Sequence, residues 1–162
     1  MKWTFYALGF LLALLLESSV LGHRTFFGSK ISLVPSYVCC VACREGHENG
    51  GWFAVAATLF WALSGVTGGP MFMFLLPAAS ILASFVCNTW LTRSLFPALA
   101  GCLLATALCH VGVYLQRLYM DYPLPPDALR ITMIQLLCSM VPAPLLWWET
   151  GLIERFGGSN RT

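Results

Sequence analysis

Charged positions divide this chain into long uncharged apolar blocks. No Asp, Glu, Lys or Arg occurs from Asn49 to Thr92, and further uncharged runs extend over Trp3 to Leu16, Ile31 to Cys43, Ser94 to Gln116 and Ile131 to Trp148. A charge at the centre of a bilayer is costly, and an apolar helix needs about 20 residues, or about 17 at the short end, to cross the hydrocarbon. The longest run therefore has room for two crossings and a turn. The pattern predicts six helical segments, at about 3–22, 30–44, 51–67, 70–92, 95–118 and 128–153. The second is short and contains Pro35, which predicts a tilted, broken or partly inserted helix.

Composition turns this pattern into a class. Of 162 residues, 58% are hydrophobic and 10% charged, and the mean hydropathy is +0.75. A soluble domain carries about 25% charged residues, so the chain lacks the polar surface needed to face water. The expectation is an all-α polytopic membrane protein, residues 1–162 forming one compact bundle. The longest polar connections, Gly22 to Lys30 and Met120 to Asp127, leave no space for a soluble domain. The start has the look of a signal peptide, but Glu17 beside Ser18, Ser19 and Gly22 argues against cleavage.

With the amino terminus inside, Lys2, Arg44, Arg93, Arg155 and Arg161 face the cytoplasm and Arg24, Lys30, Arg117 and Arg130 face out. Five basic residues against four lean toward both termini being cytoplasmic.

Little in the chain is arranged for chemistry. Seven cysteines, an odd number mostly within predicted helices, do not read as a disulfide framework. Cys39, Cys40, Cys43 and His47 are the most suggestive group, but adjacent Cys39 and Cys40 diverge on a helix, and a redox C-x-x-C opens a helix where this one closes it. Packing is the plainer reading. There is no G-x-S-x-G, H-E-x-x-H or phosphate-loop sequence. No catalytic residue, metal ligand, cofactor or nucleic acid is expected.

Polar side chains inside the apolar blocks remain. Glu17 closes the first segment, where it either pairs locally with Arg24 or Lys30, binds a cationic ligand, or meets a partner. Ser64, Asn88, His110 and Gln135 read as interhelical hydrogen-bonding groups or as pocket residues. Ala79, Ala83, Gly101 and Ala105 offer close-packing positions, for internal helices or for a partner. Asp127 is placed to cap the last helix, Pro142 and Pro144 to kink it, and Trp147, Trp148, Glu149 and Arg155 to mark its exit from the membrane.

The glycine group Gly65, Gly68, Gly69 followed by Pro70 has no neighbouring cation to complete a phosphate cradle. Although Gly65 and Gly69 satisfy G-x-x-x-G, Pro70 disfavours helix there, so the group reads as a turn between the third and fourth segments.

Around that turn "WFAVAATLFWALSGVTGGPMFMFLLPAASILASFV" resembles the central segment of the rod shape-determining protein MreD family. "LLALLLESSVLG", "KISLVPSYVCCVACREGHENGGWFAVA" and "VPAPLLWWETGLIERF" are similar to its first helix, short second segment and last helix. Family members often carry an Asp shortly before the Ser-Gly turn; Trp61 stands at that position, so any role of the acid does not carry over. The resemblance implies a bacterial inner-membrane scaffold of cell elongation and peptidoglycan synthesis, without enzymatic activity. Its partners would be the bitopic protein MreC and, through it, MreB, a RodA-type glycosyltransferase and a class B penicillin-binding protein.

The competing expectation is the substrate-binding subunit of an energy-coupling-factor vitamin transporter, a bundle of similar size. That reading needs Glu17, Trp61, Asn88 and His110 to converge on one polar pocket near the outer face.

Overall fold

The computed structural model describes residues 2–21, 32–64, 71–89, 95–123 and 126–158. These are all-helical. In chain order the elements are α1 (Lys2–Leu16, continued by a π-helical turn, Glu17–Leu21), α2 (Val34–Glu45), α3 (His47–Leu63), α4 (Met71–Thr89), α5 (Leu95–Tyr119), α6 (Ala128–Met140) and α7 (Ala143–Gly158). The Gly65, Gly68, Gly69, Pro70 turn lies outside the described residues, as do Arg24 and Lys30.

The predicted segments correspond to these elements, with shifted ends. The first regular helix stops at Leu16, where the Ser18 and Ser19 hydroxyls donate to Leu15 O at 3.1 and 2.5 Å and the ladder widens into the π turn. The third begins four residues earlier than expected, at His47. The last is interrupted at Val141 and Pro142, and α6 and α7 together make the apolar stretch Ala128–Arg155. Asp127 occupies the amino-cap position of α6 without a side-chain cap hydrogen bond. Among the described residues two helical stretches, Leu95–Tyr119 and Ala128–Arg155, are long and apolar enough to cross a membrane.

The second segment differs most from expectation. Pro35 does not break α2. It sits in the first turn, where its missing N–H costs nothing. Every residue from Val34 to Cys43 is buried, and α2 packs against α1, α3, α4, α5 and α7. Twelve residues make a rod of about 18 Å, shorter than a hydrocarbon layer of about 30 Å. A short helix is acceptable there because neighbouring helices enclose it.

The turn between α2 and α3 is a single residue, Gly46, with φ 88° and ψ 171°. That backbone region is essentially restricted to glycine. Gly46→Ala is expected to cost about 1–3 kcal/mol, read as a lowered denaturation midpoint in detergent. One turn later Gly50 lies against α2 so closely that a Cβ there would be 2.5 Å from Ala42 Cα. The two helices meet backbone to backbone.

The interior divides into two clusters. One gathers Tyr6, Phe10, Val34, Tyr37, Val38, Val41, Trp61 and Leu76. The other consists of small residues and thiols, among them Cys39, Cys40, Cys43, Ala79, Ala83, Cys87, Cys102 and Ala105. Ala79, Ala83, Gly101 and Ala105 are thus taken up in the contact of α4 and α5 with α2 and present no free face.

The distribution of polarity differs from that of a water-soluble bundle. Ser36, Thr58, Ser80, Ser84, Thr106, Ser139 and Thr150 are buried, while Trp52, Leu63, Phe74 and Phe96 are each 75–79% exposed. Leu8, Leu12 and Leu15 of α1, and Leu82 and Phe85 of α4, also point outward. Apart from the aromatic cluster, large side chains cover much of the outside and small hydroxyl-bearing ones let the helices approach, a distribution that a lipid solvent favours.

Candidate functional site

Two ion pairs define one end of the bundle. Lys2 Nζ meets Glu45 Oε2 at 2.6 Å and Arg44 Nη1 meets Glu154 Oε2 at 2.9 Å. They bring the start of α1, the end of α2 and the end of α7 to one level, the alternation that places Lys2, Arg44 and Arg155 on the same side. Tyr6 Oη adds a 3.0 Å hydrogen bond to Glu45.

Arg44 is the centre of this end. Its Nε donates to Thr150 Oγ1 at 3.0 Å and its Nη2 to Trp147 O at 2.8 Å, and the guanidinium lies 3.9 Å from the centroid of the Trp147 ring. α2 supplies the side chain from its last turn, and α7 supplies every partner from two successive turns. A planar, multiply donating guanidinium suits such a clamp, whereas a lysine ammonium does not. Beside it a surface hollow of about 460 Å³ opens among Arg44, Trp147, Trp148, Gly151 and Glu154.

At the opposite end Glu17 is buried, and its partners among the described residues lie at the start of α2. Its carboxylate accepts the backbone N–H groups of Leu33 and Val34, both at 2.9 Å, and the Ser32 hydroxyl at 3.2 Å. Leu33, the amino-cap residue of α2, provides no side-chain cap. Glu17 does so from the end of α1, satisfying two of the donors left open at a helix start and placing negative charge at the positive end of the helix dipole.

The remaining candidates do not assemble into one site. Trp61 is buried in the aromatic core of α1 to α3. Ser64 donates to Trp61 O at 2.6 Å within its own helix end. Asn88 Nδ2 donates to Ser84 O at 2.9 Å, and Ser84 Oγ to Ala42 O at 2.7 Å, which puts Asn88 at the Arg44 end. Glu17 stands at the other end of α2, about 18 Å away. His110 and Gln135 are half-buried on α5 and α6. The convergence of Glu17, Trp61, Asn88 and His110 that a carrier pocket would require is not present.

Five thiols come together although their sequence spacing did not announce it. Cys43 and Cys87 sulfurs are 3.4 Å apart, and those of Cys40 and Cys102 are 3.8 Å apart. Cys87 also donates to Pro97 O at 3.1 Å, and Cys102 to Ser36 O at 3.6 Å. All seven cysteines are free. No group of three or more His, Cys, Asp or Glu side chains among the described residues has the arrangement of a metal site. Here the cysteines act as small, weakly hydrogen-bonding residues where α2, α4 and α5 meet.

The arrangement offers structural anchoring at two ends and an apolar lateral surface between them. Arg44 and Glu45 were not legible as anchors in the sequence, because a charged pair at a segment end looks like an ordinary membrane exit. Their side chains instead turn inward to α1 and α7. Compared with protein-family models, curated proteins and solved structures, the chain matches none.

Proposed function

We propose that this chain is a multi-pass integral membrane protein whose helical rods, six when α6 and α7 are taken together, cross a bacterial cytoplasmic membrane with both termini in the cytoplasm. In this reading it is a non-enzymatic scaffold of the cell-elongation machinery, of the MreD type that its sequence resembles. It holds a bitopic MreC-like protein by lateral helix packing and, through that protein, MreB, a RodA-type glycosyltransferase and a class B penicillin-binding protein. The observation that carries the membrane part is the distribution of polarity, with Trp52, Leu63, Phe74 and Phe96 outside and eight Ser and Thr residues inside among the described residues. Such a surface is tolerable only against lipid or other apolar helices.

The scaffold part is supported by the sequence resemblance and by the use of polar groups. Glu17, Arg44 and Glu45 are each engaged in holding helices together. Asn88, one of the four residues on which a carrier pocket would depend, stands at the opposite end of α2 from Glu17.

Depletion of the protein in a rod-shaped host tests this reading. Cells are expected to lose their rod shape while their uptake of vitamins is unchanged. Cells that stay rod-shaped but lose uptake of a vitamin contradict the scaffold and favour the carrier.

A further inference from the structure

Glu149 lies on α7, one residue before Thr150 of the Arg44 clamp, yet it takes no part in that clamp. Its carboxylate reaches toward α1, where a Cβ on Gly9 would lie 2.8 Å from Glu149 Oε1. It makes no hydrogen bond or ion pair among the described residues. The nearby Tyr37 hydroxyl is directed to Tyr6 O at 3.2 Å.

The carboxylate lies in a groove of about 580 Å³ between α1 and α7, walled by Phe5, Leu8, Leu12 and Leu152. The groove is apolar except for Glu149. Phe5, Leu8 and Leu12 are about half exposed, so it opens sideways, along the same surface that faces lipid in the proposed topology. It runs parallel to the helix axes, and Phe5 to Leu12 alone spans about 10 Å.

Depth gives the carboxylate its meaning. Gly9 is seven residues from Lys2, and Glu149 five from Glu154, so the acid lies about 8–10 Å inward from the ring of ion pairs. A lone carboxylate at that depth is unfavourable and calls for a donor. α1 and α7 supply none. An occupant arriving sideways through the apolar layer is itself an apolar helix, and the charge it must complement is negative.

We propose that the α1–α7 groove is the docking site for a single transmembrane helix of a partner, and that this helix carries one basic side chain that pairs with Glu149. The proposal rests on the scaffold reading above, because it assigns that reading's bitopic partner to a particular face.

The test uses the full chain in native membranes, with a photo-crosslinking residue at Leu12, at Leu152 or, as a control, at Leu82 on α4, a helix that packs on α2, α3 and α5. Positions 12 and 152 are expected to crosslink into the membrane span of a single-span protein, and position 82 is not. Glu149→Leu should reduce the crosslink about tenfold, the size of one interhelical polar contact, and Glu149→Gln should reduce it less. The melting temperature of the E149L chain in detergent should be unchanged or higher, which separates docking from folding.

Crosslinking from position 82 alone, undiminished yield in E149L, or adducts only with lipid or a second copy of the chain would overturn the groove assignment and leave the scaffold reading standing. Failure of the native chain to capture any single-span protein would overturn both.

Discussion

Arg44→Ala is expected to be among the most damaging single changes in this protein, lowering stability by about 3 kcal/mol. The ion pair itself contributes little, since the Glu154 side chain is 43% exposed and a pair so placed is worth at most about 1 kcal/mol. Most of the loss comes from the buried half of the clamp: charged hydrogen bonds to Thr150 and Trp147 O, and the guanidinium stacked on the indole. Removing them detaches the end of α2 from α7. Arg44→Lys keeps the charge but cannot reach Thr150, Trp147 and Glu154 together, and is expected to recover less than half of the loss. Denaturation of the purified protein in detergent measures both variants. An R44A midpoint equal to wild type would show that α2 is held by apolar packing alone.

Glu17→Ala is expected to cost about 2–4 kcal/mol by a different route. It leaves the N–H groups of Leu33 and Val34 and the Ser32 hydroxyl without their acceptor in a buried position. Glu17→Gln retains one acceptor oxygen and turns an amide donor toward other donors, so it should lie between wild type and alanine. Glu17→Asp shortens the reach by one methylene and should resemble alanine more than glutamine does. The three variants order themselves by the geometry of the acceptor and not by charge. If E17Q proved as damaging as E17A while E17D was harmless, the negative charge would matter more than the position of the oxygens, and a cation would have to be sought at that end.

Both predictions concern the ends of α2, where the sequence was least informative. The uncharged runs located the helices because lipid penalises charge wherever it occurs, a local rule that needs no tertiary knowledge. Glu17 stood out for the same reason. Its partners did not, because they are backbone groups sixteen and seventeen residues away whose orientation depends on how α2 docks on α1. Pro35 suggested a broken segment, since a proline in an apolar run is read before the helix start is known. The thiol cluster was hidden because Cys40 and Cys43 meet Cys102 and Cys87 across three helices. The surroundings of Glu149 were hidden too. Next to Trp148 it reads as part of a membrane exit, whereas rotation about α7 sends it into the groove with Gly9 while Thr150 faces Arg44.

These features share one pattern. Three buried or half-buried charged groups are engaged around α2, which is enclosed by α1, α3, α4, α5 and α7. Glu17, Arg44 and Glu45 all serve that enclosure, whereas Glu149 is turned to the lateral surface. A bundle held together in this way is compatible with the proposed scaffold, which needs a fixed face for its partner.

The proposed scaffold role is tested most directly by affinity capture of the full-length tagged chain from detergent-solubilised native membranes, followed by identification of what comes with it. A single-span protein with a coiled coil, accompanied by peptidoglycan-synthesis proteins, is the expected result. Recovery of a transporter ATPase pair with no cell-wall protein would contradict it.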